Sequence, residues 1–177
     1  SLSGDYEYTT ADYGYASTNI KVRDFTLCPE KYGNNIHPIG VYVHEFGHIL
    51  GLPDLYDINW DSTDPNHDIH EGIGNWGVMA GGSWNDCGET PAFFSAWVRE
   101  LAGWIDGADE MVVLTSGEED LTISPIYSGG IVYKLPIPAS NPDSDEYFLI
   151  ENRQQQSYDT YLPGEGLVIW HVDMDVC

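Results

Sequence analysis

Positive charge is scarce in this chain: six lysines and arginines stand against 29 acids, giving a formal net charge of −23. Docking on a nucleic-acid backbone or an anionic membrane surface requires a basic face, so neither is expected as a partner. Cysteine is scarcer still. Cys28, Cys87 and Cys177 form no CxxC pair, which argues against a zinc–thiolate site. Their odd number leaves two readings, a single disulfide with Cys28–Cys87 as the pairing considered, or three free thiols. The sequence also lacks any apolar run of about eighteen residues, so no membrane insertion is expected. Ser1 opens no charged-then-apolar leader, which fits a mature or shortened form of a soluble protein. No internal repeat or low-complexity tract is evident.

Hydrophobic residues at 42% and aromatics at 13% place the chain among globular proteins despite its charge. Its 177 residues are enough for one domain with a core, or for a core followed by a β element. The chemistry is concentrated between Val41 and Asp57. His44, Glu45 and His48 spell HExxH, which on a helix sets two imidazoles one turn apart with a carboxylate beside them. A helix over Ile39–Leu50 is expected, with Pro38 leading in and Gly51 as a left-handed C-cap. Catalytic zinc normally takes three protein ligands and keeps a fourth position open. Asp54 completes the pattern HExxHxxGxxD, in which Gly51 lets the chain double back toward the metal. That spacing matches the metzincin layout, with Asp where His is the commoner third ligand.

Further along, Asp57, Asn59 and Asp61 repeat the first three ligand positions of a calcium loop, and the density of acids there suggests an irregular calcium site with Asp57, Asp61 and Asp64 as its candidates. Ser62 stands where an EF-hand needs glycine and Asp68 where it needs glutamate, so a solvated acidic loop is the alternative. Met79 sits in the glycine-rich run Gly74–Trp84 and matches a Met-turn, a packing support beneath the metal. A second helix is expected over Glu89–Gly103, capped by Thr90 and carrying Phe93, Phe94, Trp97, Leu101 and Trp104 on one side. Upstream, Asn19–Leu27 reads as a strand with a bulge. Downstream, extended runs at Val112–Leu114, Leu121–Ile123, Ile131–Ile137, Glu146–Glu151 and Gly166–Val172 predict an antiparallel β region. On its last strand His171 and Asp173 alternate on one face, where they could touch a metal, and read better as a hydrogen-bonded pair at the strand end. The fold class expected is α+β: a metzincin-like zinc-peptidase core over residues 1–106 and an antiparallel β region over 107–177.

HEFGHILGLPDLYD, WGVMAGGSWN, TPAFFSAWVRELAGW, EYFLIENRQ and LPGEGLVIWHVD together resemble the immune inhibitor A family of secreted bacterial metallopeptidases. The resemblance runs from about residue 39 to about residue 175 and is most specific in the LPDLYD extension of the first motif. It implies zinc held by His44, His48 and Asp54, Glu45 as the base, Met79 as the Met-turn, and a secreted endopeptidase acting on proteins or peptides. In that mechanism Glu45 activates a zinc-bound water and returns the proton to the leaving amine. The sequence departs from the family in two places. The stretch before His44 is shorter than the sheet-bearing half usual there, and no tyrosine follows Met79, so no tyrosine is assigned a catalytic role. The competing reading is an inactive, metal-stabilised binding or adhesion module derived from such a peptidase.

Overall fold

The structure is a computed structural model that describes residues 25–58, 70–107, 109–115, 120–138 and 144–175. A small hairpin, β1 (Lys31–Tyr32) with β2 (Asn35–Ile36), leads into helix α1 (Ile39–Ile49). A second helix, α2 (Ala96–Leu101), precedes a sheet of four strands: β3 (Met111–Val113), β4 (Val132–Pro136), β5 (Glu146–Arg153) and β6 (Gly166–Asp173). Helix and sheet are both present in quantity, as an α+β chain requires.

Helix α1 ends as its sequence dictates. Gly51 takes φ +84°, its N–H donates to His48 O at 3.0 Å, and the N–H of Leu52 donates to Gly47 O at 3.1 Å. Those two bonds are a Schellman motif, and they turn the chain so that Leu52 drops into the core. The other face of α1 lies against the segment Gly81–Gly88 so closely that a Cβ on Gly40 would stand 1.9 Å from Ser83 O. Only glycine fits there.

The second helix is shorter than the sequence predicts. Residues 91–95 are irregular, Ser95 is the N-cap, and α2 begins at Ala96. The reason is tertiary: Ala92 N donates to Gly82 O, Phe93 N to Asp159 Oδ1 at 3.0 Å, and Ala96 N to Glu151 Oε1 at 3.3 Å. Backbone donors that would build a first helical turn are taken by partners distant in sequence. The helix ends where expected, with Gly103 at φ +69° and the N–H of Trp104 returning to Arg99 O. Leu101 and Trp104 of the apolar stripe are exposed, whereas Trp97 and Phe94 pack on buried residues.

In the sheet, β4, β5 and β6 pair antiparallel, but β3 joins β4 in parallel, with Met111 opposite Val132. The chain returns to the same end of the sheet through residues that include the segment Leu121–Ser124, which is not a strand. Strand β5 alternates strictly, sending Tyr147, Leu149, Glu151 and Arg153 inward. Its partner β6 leaves Leu167 and Ile169 exposed on the opposite face. His171 does not pair with Asp173; its Nε2 meets Glu146 Oε1 on the neighbouring strand at 3.0 Å. The expected strand Asn19–Leu27 lies mostly outside the described residues, and Phe25–Leu27 is irregular.

Two apolar clusters divide the core. Ala96, Ile105, Val132, Tyr147, Leu149 and Val172 fill the space between α2 and the sheet. Leu52, Val78, Met79 and Val98 fill the space beneath α1. Between them runs a buried ionic network. Arg153, fully buried, donates through Nε and Nη2 to Asp159 at 2.7 Å each, and through Nη1 to Glu151 and to Trp76 O. Arg99 reaches Glu151 Oε2 at 2.6 Å, and Trp170 Nε1 reaches Glu151 Oε1 at 2.8 Å. Burial works to lower the pKa of Arg153, but hydrogen bonds and negative charge from Asp159 and Glu151 carry it upward, so the guanidinium stays charged. Two arginines neutralise two acids, and the carboxylates' remaining lone pairs are taken by backbone N–H groups of residues 93 and 96. Cys28 and Cys87 are free thiols, so the pairing considered between them is not made; Cys177 lies outside the described residues.

Candidate metal centre

The centre is built on the last two turns of α1 and the turn after it. His44 and His48 stand one turn apart, and their Nε2 atoms converge to 3.2 Å. The Schellman turn brings Asp54 back to them, with Oδ1 at 3.0 Å from His44 Nε2 and 3.3 Å from His48 Nε2. Each imidazole is held from behind: Nδ1 of His44 lies 2.8 Å from Val78 O, and Nδ1 of His48 lies 2.8 Å from Leu52 O. A carbonyl only accepts, so a neutral ring keeps its proton on Nδ1 and presents the lone pair of Nε2 to the centre.

In that form three lone-pair donors face one another. Asp54 Oδ1 is buried and accepts no hydrogen bond, and Glu45 Oε2 is likewise buried and without a hydrogen-bond partner. Such a convergence is repulsive unless a cation sits within it. The spacing also suits the ion: donors about 2.0–2.2 Å from a tetrahedral zinc stand roughly 3.3 Å apart. Among the described residues, His44, His48 and Asp54 are the one group of histidine, cysteine and acidic side chains arranged to hold a metal. The donor set fits zinc.

Glu45 points into a cavity of about 830 Å³ that is also lined by His44, Tyr56, Ile73, Trp76 and Trp84. Met79 lies directly beneath α1, where a Cβ on Gly47 would meet its Sδ at 2.4 Å. Its carbonyl accepts from Leu55 N at 2.8 Å, and the preceding residue supplies the carbonyl that orients His44. Met79 thus underlies the donors by packing and by the backbone on either side of it. Of the acids considered for calcium, Asp57 lines the cavity and its N–H donates to His70 O, while Asp61 and Asp64 lie outside the described residues. No observation supports calcium.

The sequence pattern did not single out Tyr56. Its ring lies nearly parallel to the His44 imidazole, at 27° and 6.3 Å between centroids. Burial, then the charge of Asp54 and a hydrogen bond with its carboxylate, then the charge of Glu45 hold the Tyr56 hydroxyl above its ordinary pKa. The only signal available beforehand was its place in the LPDLYD run, two residues past the third donor. Nor did residue types reveal the carbonyls of Leu52 and Val78, since a backbone acceptor carries no identity in the sequence.

A helix-borne HExxH whose third donor returns from the following turn defines the class as a metallopeptidase. Comparison with known proteins narrows it. The family described as immune inhibitor A peptidase M6, catalytic domain, matches residues 3–106. Immune inhibitor A of Bacillus thuringiensis subsp. alesti is 36% identical over 97 residues, which cover 54% of this chain and 12% of that protein. Pre-pro-metalloprotease PrtV of Vibrio cholerae serotype O1 (strain M66-2) is 40% identical over 64 residues, 35% of this chain and 6% of that protein. The chain thus corresponds to only a small part of these relatives' length, and no solved structure matches it. The chain belongs to the immune inhibitor A family of metallopeptidases.

Proposed function

We propose that the protein is a secreted zinc-dependent endopeptidase in which His44, His48 and Asp54 hold the metal and Glu45 is the general base. The observation that supports this most is the meeting of three metal-ligand atoms at 3.0–3.3 Å beside a buried carboxylate oxygen that has no partner. When bound, zinc supplies Lewis acidity, lowering the pKa of water toward neutrality and polarising a peptide carbonyl. Glu45 takes the proton of the attacking water through Oε2 and passes it to the leaving amine, so the same side chain serves as base and then as acid. Val78 O and Leu52 O keep both imidazoles in the Nδ1–H form throughout. Met79, in this reading a Met-turn, supports the donors from below, and the cavity beside Glu45 accommodates part of a protein or peptide substrate. No described helix is long and apolar enough to cross a membrane, and the family resemblance favours an extracellular setting.

The test combines metal analysis with cleavage of an unstructured protein such as casein. Zinc near one equivalent and cleavage abolished by chelator are expected. Glu45→Gln should keep the metal and slow cleavage by about 10²–10⁴-fold. Metal bound without cleavage by the parent protein would favour the inactive binding module instead.

A further inference from the structure

We propose that Trp76 and Pro163 are specificity-determining residues, together forming a wall of the cavity beside Glu45 that takes a bulky apolar side chain of the peptide substrate. This rests on the peptidase reading above and deepens it. Both residues line the same cavity as His44 and Glu45, so a side chain held there belongs to a residue close to the bond being cut. They come from different halves of the chain. Trp76 closes the short 3₁₀ turn Gly74–Trp76, whereas Pro163 lies between β5 and β6, beyond the family's catalytic-domain match. The far edge of the Trp76 indole reaches that second segment: a Cβ on Gly164 would stand 3.8 Å from Cη2 and 4.0 Å from Cζ2, an ordinary van der Waals contact. The indole thus bridges the two halves, and with the Pro163 ring beside it makes one apolar surface.

That surface is built in advance of any substrate. Arg153 donates through Nη1 to Trp76 O at 3.1 Å and, through Nε and Nη2, to both oxygens of Asp159 at 2.7 Å. The Asp159 carbonyl accepts from Leu162 N at 3.0 Å, and the Leu162 carbonyl accepts from Gln155 Nε2 at 2.8 Å. Leu162 itself is buried, which anchors the residue that follows it. One buried guanidinium therefore registers both members of the wall. A preformed apolar wall gains affinity by taking apolar substrate surface out of water with little ordering to offset it. Trp84, which lines the same cavity and is 48% exposed, extends the apolar lining. The rest of the lining says what is refused. Among the described residues it includes Glu45, Asp57 and Glu71 but neither lysine nor arginine, so an acidic side chain would meet like charge.

The test uses quenched fluorogenic peptides that differ only in carrying Phe, Ala, Lys or Glu on either side of the scissile bond. The zinc-loaded protein should cleave the Phe peptide with a kcat/KM about tenfold or more above the Ala peptide, with the Glu peptide lowest. Trp76→Ala should shrink the Phe-to-Ala ratio by about tenfold, and Pro163→Ala by less, with zinc content unchanged in both. Pro163 is exposed, so its replacement keeps the fold even if Trp76→Ala does not, and melting checks each. The same order should appear in binding alone, read by fluorescence anisotropy of labelled peptides on the zinc-loaded Glu45→Gln protein, where no turnover is needed. A Phe-to-Ala ratio near one, or a ratio that neither substitution moves, overturns the proposal. So does a Lys peptide preferred over Phe, with that preference lost in Glu71→Gln and kept in Trp76→Ala. Cleavage without apolar preference leaves the peptidase reading standing and removes the wall. Phe-selective binding without cleavage by the parent protein does the reverse, so the two failures are distinct.

Discussion

The half of the molecule that carries the chemistry and the half that carries the sheet are held together by different physics. Around α1, order comes from single backbone hydrogen bonds between loops, from glycines at close approaches, and from one small cluster around Met79. Around β5, order comes from continuous ladders, an alternating inward face and a neutral network of four charges, three of them buried. The first arrangement places a few atoms accurately; the second resists unfolding. They are also joined, because Asp159 and Glu151 of the sheet half hold the backbone before α2, and Arg153 holds Trp76 in the cavity wall. What the contrast teaches is that the family's catalytic-domain match, ending at residue 106, stops short of groups on which the site wall leans.

The strongest way to break this contrast is Arg153→Ala. It leaves Glu151 and Asp159 buried without their main cation and should cost about 3–5 kcal/mol, read by denaturant unfolding. A single transition is expected; two transitions with zinc binding intact would show that the halves are independent. Removing the metal should act on the other half. A site loaded at about a hundredfold over its dissociation constant loses roughly 2.7 kcal/mol when stripped, seen as a lower melting temperature in chelator. If melting were indifferent to chelator, the converging donors would not be a metal site. Gly47→Ala drives a Cβ into Met79, whose flexible thioether can yield in part, so about 1–3 kcal/mol of destabilisation and weaker zinc binding are expected from melting and chelator competition. The smallest effect belongs to His171→Ala, which removes an exposed cross-strand pair with Glu146 and should change stability by about 0–1 kcal/mol. A larger loss there would mean that the outer edge of the sheet matters more than its buried network.

Legibility in the sequence followed the same divide. Strands β4, β5 and β6 were readable because β-rich runs bounded by turn residues are a local property, and α1 was readable because its ending is written in Gly51. The N-terminal half of the expected Glu89–Gly103 helix was not, since its Phe93 and Ala96 donors are claimed by Asp159 and Glu151, far along the chain. The parallel pairing of β3 was missed for a related reason: strand direction depends on where the connection returns, which no local pattern encodes.

By itself, the sequence determined the donor set, the helix that carries two of its members, and the glycine that returns the third. These depend on residue identity and spacing within a few turns. Tertiary structure decided the rest: which carbonyls face the imidazole Nδ1 atoms, that the Tyr56 ring lies along that of His44, and that arginines of α2 and β5 tie the two halves together. Those contacts join positions whose neighbourhood is created only when distant segments pack, and a backbone carbonyl or a shared proton has no letter in a sequence.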